Sequence, residues 1–87
     1  MMQVIDNHAL NRYELDVEGH LAIAEYRKEG TRLSITHVEV PEALRGQGVA
    51  AKLMDGVVAD AKARNLTIVP VCPYAAAYMK RLSEKKD

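Results

Sequence analysis

Apolar and polar residues alternate in the first half of the chain and recur every three to four positions in the second. From Arg12 the alternation Tyr13, Leu15, Val17 predicts a half-buried strand closed by Glu18-Gly19, and residues 21–27 continue as its hairpin partner. Glu29-Gly30 marks another turn, after which residues 32–40, apolar at Ile35, Val38 and Val40, form the third strand of an antiparallel meander. Ahead of these, Val4 and Ile5 within residues 3–6 predict a strand start, and Asp6-Asn7-His8 a turn.

Pro41 ends the third strand and the rhythm changes. Val49/Ala50, Leu53/Met54, Val57/Val58 and Ala61 predict a helix over residues 48–64 with one face on the sheet and Lys52, Asp55, Asp60, Lys62 and Arg64 in water. Gly56 inside it costs about 1 kcal/mol relative to alanine, which points either to close packing there or to simple tolerance of the glycine. Asn65 is a left-handed stop. Residues 67–71 read as a short strand; reached from the third strand through a helix, it pairs with that strand in parallel by a right-handed crossover. Pro70 within it indicates a bulge or an edge. Pro73 opens a second helix that Ala75, Ala76 and Ala77 extend, and Lys80, Arg81, Lys85 and Lys86 gather near its end, where cations suit the dipole and form either a solvated helix terminus or a contact for a negatively charged ligand. Residues 1–87 thus read as one α+β domain with α/β three-layer-like stacking: a mixed sheet in which an antiparallel meander precedes a β-α-β-α run containing a parallel pair.

Between third strand and first helix lies Arg45-Gly46-Gln47-Gly48. A glycine loop that opens a helix leaves backbone N–H groups unpaired at the positive end of the helix dipole, and the ligand this suits is a phosphate. No Gly-Lys-Ser/Thr follows, so this is not the P-loop. Only two glycines occur and no acidic residue ends a second parallel strand, so it is not the dinucleotide fingerprint either.

Composition narrows the partners. Twelve basic and twelve acidic residues cancel, which leaves no general field to attract nucleic acid or a membrane surface. The single cysteine cannot form an internal disulfide and fits a reducing compartment; histidines 8, 20 and 37 have no metal-ligand spacing with it, so no metal is expected. The N-terminus lacks the pattern of a signal peptide and no apolar run approaches membrane-spanning length, so a cytoplasmic protein is expected.

Three segments, His37-Val38-Glu39-Val40-Pro41, Leu44-Arg45-Gly46-Gln47-Gly48 and Cys72-Pro73-Tyr74, occur in the order found in small single-domain members of the GNAT acyltransferase superfamily. The superfamily's acetyl-CoA signature, Arg/Gln-x-x-Gly-x-Gly/Ala, is met by Arg45, Gly48 and Ala50. The chain therefore resembles a truncated GNAT-like N-acetyltransferase over nearly its whole length. The resemblance implies a GNAT-like sheet with acetyl-CoA or CoA as cofactor. The pyrophosphate would sit on Arg45, Gly46, Gln47, Gly48, Val49 and Ala50. The pantetheine arm would lie along Val38 and Val40, in a splay between the third strand and residues 67–71, with Cys72, Tyr74 and Tyr78 beside it. Larger members build much of their acceptor wall from pieces not found in this sequence, so the cofactor half of the activity carries over better than the acceptor half.

Acyl transfer to an amine also needs a group that takes a proton. Glu39 and His37 share one strand face and are the first candidates; the same residues also suit an exposed strand surface. Tyr78 lies one position from where many relatives place a tyrosine acid, and equally suits a core aromatic. Cys72 directly precedes a helix, the position that favours a thiolate, so it is either an acetyl-accepting nucleophile or a small buried hydrophobe. Two functions follow. One is acetyl-CoA-dependent N-acetyl transfer to an amine of a small molecule or protein; the other is a non-catalytic CoA-binding sensor or interaction module. A monomer, or a weak homodimer paired through open sheet edges, is expected.

Overall fold

A computed structural model describes residues 3–85. The chain runs β1 (Ile5–Asn7), a 3-10 turn (His8–Leu10), β2 (Arg12–Val17), β3 (His20–Glu29), β4 (Arg32–Glu39), a second 3-10 turn (Glu42–Leu44), α1 (Val49–Ala63), β5 (Thr67–Pro70) and α2 (Pro73–Lys85). The five strands form one sheet in chain order, antiparallel up to β4 and parallel between β4 and β5. This is the α+β mixed sheet expected. The expected turn at residues 6–8 becomes the end of β1 and the start of a 3-10 turn, which Asn7 caps and left-handed Asn11 closes.

Register decides which face is buried. Tyr13 lies opposite Ala24 and Leu15 opposite Ala22, while Ala24 lies opposite Val38 and Tyr26 opposite Ile35, so these side chains share a face. On the same face α1 buries Val49, Leu53, Met54, Val57 and Ala61, and α2 adds Ala75 and Tyr78 to the same cluster. Full burial of a side chain such as Leu53, Met54 or Val57 is worth about 2 kcal/mol each. The opposite face carries Arg12, Glu14, Glu25, His37 and Glu39, and no described helix covers it. That outer face offers mostly polar side chains and little for a further layer to bury.

The far end of α1 is tied to the meander by a polar network that the sequence did not suggest. The Tyr13 hydroxyl donates to Asp60 Oδ2 at 2.7 Å and the Tyr26 hydroxyl to Asp6 Oδ1 at 2.6 Å. Arg64 bridges the two carboxylates, at 3.3 Å from Asp6 and 3.2 Å from Asp60. Burial, then the bond to Asp60, pushes the Tyr13 phenol far above its usual range; burial and the bond to Asp6 push Tyr26 up to about 12. Gly56 packs against Val4 so closely that an added Cβ would stand 2.4 Å from Val4 Cγ2.

Candidate functional site

The site begins with an irregularity in β4. Glu25 pairs with His37 but the next residue, Tyr26, pairs with Ile35, so Thr36 is an extra residue on β4. A bulge of this kind slips the two-residue period by one. Leu33 and Ile35 face the helices, and after the slip so do Val38 and Val40, while His37 and Glu39 turn to the outer face.

The bulge also sets where the backbone points. Tyr26 N–H donates to Asn11 on the β2 side at 3.0 Å. By strand alternation, Ile23 and Glu25 then bond β4 through Glu39 and His37. Val38 and Val40 are left with their N–H and C=O groups directed away from β3, toward the β5 side.

On that side the partner strand stops. Ile35 pairs with Pro70, the last residue of β5. Thr67 N and Val71 N both donate toward β4, at 2.7 Å and 3.1 Å, so position 70 lacks its N–H on the outward edge, where proline costs no ladder bond. Pro70 is thus the edge residue its sequence suggested. Val71 N also bonds Val69 O at 3.1 Å and Cys72 N bonds Ile35 O at 2.9 Å, so the chain turns off the sheet. A bulge on one strand and a tight turn on the other, at the same level, end the pairing and leave Val38 and Val40 without a β5 partner, a gap in the ladder.

The glycine loop stands at the mouth of this gap. Gly46 and Gly48 have φ of +82° and +71°, conformations that carry a Cβ only at a cost of about 1–2 kcal/mol. Gly48 is the N-cap of α1, and no side chain caps it. Lys52 N makes the first helical bond, to Gly48 O at 3.2 Å. The amides of Val49, Ala50 and Ala51 therefore precede the helical ladder and meet the helix's positive end. An added Cβ at Gly48 would meet nothing within 4 Å, so the space in front of it is open. These features fit a phosphate.

A cavity of about 410 Å³ runs from this loop to the end of β4, lined by Val40, Leu44, Arg45, Gly46, Gly48 and Val49 with Ala50, Ala51, Tyr74 and Arg81. A second, of about 250 Å³, lies between α1 and α2 and is lined by Ala51, Asp55, Tyr78, Arg81 and Leu82. Ala51 and Arg81 belong to both.

The cofactor-binding residues expected from sequence divide accordingly. Val40, Arg45, Gly46, Gly48, Val49, Ala50 and Tyr74 share the larger cavity. Gln47 instead braces the loop, donating from Nε2 to Ala43 O at 3.2 Å. Val38 packs against the core. Tyr78 lines the smaller cavity, where its hydroxyl donates to the Asp55 carboxylate. Burial, then that bond, pushes its phenol well above the usual range, so it keeps its proton. Cys72 is only 8 % exposed and lines neither cavity, although its place beyond Pro70 sets it beside the gap.

His37 Nε2 lies 3.2 Å from Glu39 Oε1, both exposed on the outer face. Pairs this exposed contribute little to stability, so the contact is available for chemistry at small structural cost. Arg81, Asp55 and Leu82 were not singled out as site residues by sequence, where Arg81 read as part of a basic helix end; the three-to-four spacing Tyr74, Tyr78, Arg81/Leu82 was the available signal. Of that basic end, Lys86 and the Lys85 side chain lie outside the described residues. Among the described residues no group of three or more His, Cys, Asp or Glu side chains could hold a metal ion, and no helix is long and apolar enough to cross a membrane.

Comparison with protein families gives one assignment. Residues 12–87 match the model of a GCN5-related N-acetyltransferase family. A search of curated proteins finds no match. With that model spanning everything from β2 onward, the chain belongs to the GCN5-related N-acetyltransferases.

Proposed function

We propose that this chain moves an acetyl group from acetyl-CoA to an amine of a small molecule or a protein. One observation carries the reading: a single cavity joins an uncapped, left-handed glycine loop to Val40 at the end of β4 and Tyr74 at the start of α2. That geometry suits a ligand with a phosphate at one end and an extended arm at the other. Arg45 and the amides of residues 48–51 would hold the pyrophosphate, and Tyr74 and Val40 would flank the arm.

Bound there, acetyl-CoA supplies an acyl thioester. Glu39, in contact with His37, would take the proton that an incoming ammonium must lose before its nitrogen attacks the carbonyl carbon. The backbone amides of Val38 and Val40, turned away from β3, would polarise that carbonyl. As the C–N bond forms and the C–S bond breaks, Cys72 or the His37–Glu39 pair would return a proton to the departing sulfur. Tyr78 is committed to Asp55 and serves here as wall.

Incubating the protein with acetyl-CoA and a broad amine panel, while following free thiol, tests the reading. Titration calorimetry with CoA on Gly48→Val tests the cradle: a side chain in the open space before the amides should weaken binding at least about tenfold while the far side of the fold stays intact. A folded Gly48→Val protein with unchanged affinity would overturn the phosphate assignment. The bare outer face, which offers no wall for an acceptor among the described residues, favours the second reading, a CoA-binding module without turnover. Saturable CoA binding with no thiol release across the panel would select it.

A further inference from the structure

Arg81 is the residue that the first assignment leaves unused. It is exposed, stands on the same stripe of α2 as Tyr74 and Tyr78, and lines both cavities. Arg45 lines only the larger. The cavity linings therefore hold two arginines on different elements, Arg45 in the glycine loop and Arg81 on α2. Tyr74 and Arg81 are seven residues apart on α2, roughly 10 Å along its axis. Tyr74 lies at the strand end and Arg81 away from it.

The smaller cavity has a distinct chemistry. Ala51 and Leu82 give it apolar walls, Tyr78 an aromatic one, and Asp55 a carboxylate that already accepts the Tyr78 hydroxyl on Oδ1. Such a space suits a flat, neutral ring carrying a donor amine for the remaining carboxylate oxygen. It does not suit a phosphate, which Asp55 would repel. The anion belongs at the junction, where Arg81 stands.

CoA has two anionic centres, the pyrophosphate and the 3′-phosphate, on either side of a ribose that also carries adenine. Resting on the CoA reading above, we propose that Arg81 binds the 3′-phosphate, with the adenine in the Asp55–Tyr78–Leu82 cavity, and so selects CoA over 3′-dephospho-CoA. Arg45 and the loop amides hold the pyrophosphate, which both compounds share. A charge-assisted contact of this kind corresponds to a preference of about tenfold or more.

Titration calorimetry with CoA and with 3′-dephospho-CoA, on wild type, Arg81→Met and Arg45→Met, tests this. Wild type should bind CoA at least about tenfold tighter than 3′-dephospho-CoA. Arg81→Met should lose that preference by weakening CoA alone, leaving 3′-dephospho-CoA within about twofold of wild type. Arg45→Met should weaken both ligands alike and keep the preference. Arg81 is exposed, so its replacement is compatible with folding, which circular dichroism verifies. Equal weakening of both ligands in Arg81→Met would place Arg81 on the pyrophosphate and overturn the proposal, as would a wild type with no preference. If wild type binds neither compound, the CoA reading itself falls and the inference with it; if CoA binds and only the preference is missing, the inference alone falls.

Discussion

Gly56→Ala should destabilise this protein, although alanine is the better helix former. Gly56 sits inside α1, where the exchange alone would stabilise by about 1 kcal/mol. Against that gain stands Val4. The new Cβ would lie 2.4 Å from Val4 Cγ2, 2.5 Å from its Cβ and 3.0 Å from its Cγ1. Carbon atoms prefer roughly 3.5–4.0 Å, so three contacts are violated at once. One of them is to a Cβ that no rotamer change can move, and the strand start must shift. Overpacking of this severity costs about 1–3 kcal/mol, which outweighs the propensity gain and leaves a net loss of about 1 kcal/mol. For a domain of this size that lowers Tm by roughly 4–8 °C. Val4→Gly removes all three contacting atoms, and in that background Gly56→Ala should stabilise by about 1 kcal/mol, a reversal of sign with a coupling near 2 kcal/mol. Urea unfolding followed by circular dichroism on the four proteins measures it. Stabilisation by Gly56→Ala alone, or equal destabilisation in both backgrounds, refutes the packing of Val4 on this helix.

Three further outcomes are expected. Glu39→Gln and His37→Ala should each lower kcat by about a hundredfold with CoA affinity nearly unchanged, and the double variant should lose little more, since paired groups act as a unit; equal losses in kcat and CoA affinity would mark the pair as structural. Cys72, at 8 % exposure, should react with iodoacetamide more slowly than a free thiol and more slowly still with CoA bound; intact-mass spectrometry reads this, and absence of protection would move the thiol out of the gap. Tyr26 keeps its proton up to about 12 when folded but releases it near 10 when unfolded, so the stability it contributes is complete below about pH 10 and lost as pH rises toward 12. Denaturant midpoints across that window should fall for wild type and fall less for Tyr26→Phe; identical slopes would exclude the residue.

Much of the fold could be read from periodicity because its strands and helices each show one face to one core. Tyr13, Leu15 and Val17 alternate cleanly, and the four-residue stripe from Val49 to Ala61 gave α1 to within a residue at either end. The left-handed stop at Asn65, with φ of +58°, was also legible, because few side chains tolerate that conformation. The slip in β4 was written in the spacing Leu33, Ile35, Val38, Val40, where one interval is three instead of two, yet alternation over so few residues reads as continuous unless each interval is counted. The tyrosine–aspartate–arginine network escaped because its members lie up to 58 positions apart, from Asp6 to Arg64, and each looks locally like a surface or core residue. Arg81 was legible only as one of a basic group that suits solvent or an anionic ligand equally, because a cation near a helix end satisfies the dipole whether or not anything binds it; the fold shows that it lines two cavities.

Beyond the Ile35–Pro70 pair β4 runs on without a β5 neighbour, and there one layer of strands separates the helix side from the bare side. On the acyl-transfer reading proposed above, the cofactor would lie on the helix side and the acceptor would approach from the side that carries His37 and Glu39. The sheet itself would then be the partition between the two, and the unpaired stretch of β4 the place where they meet.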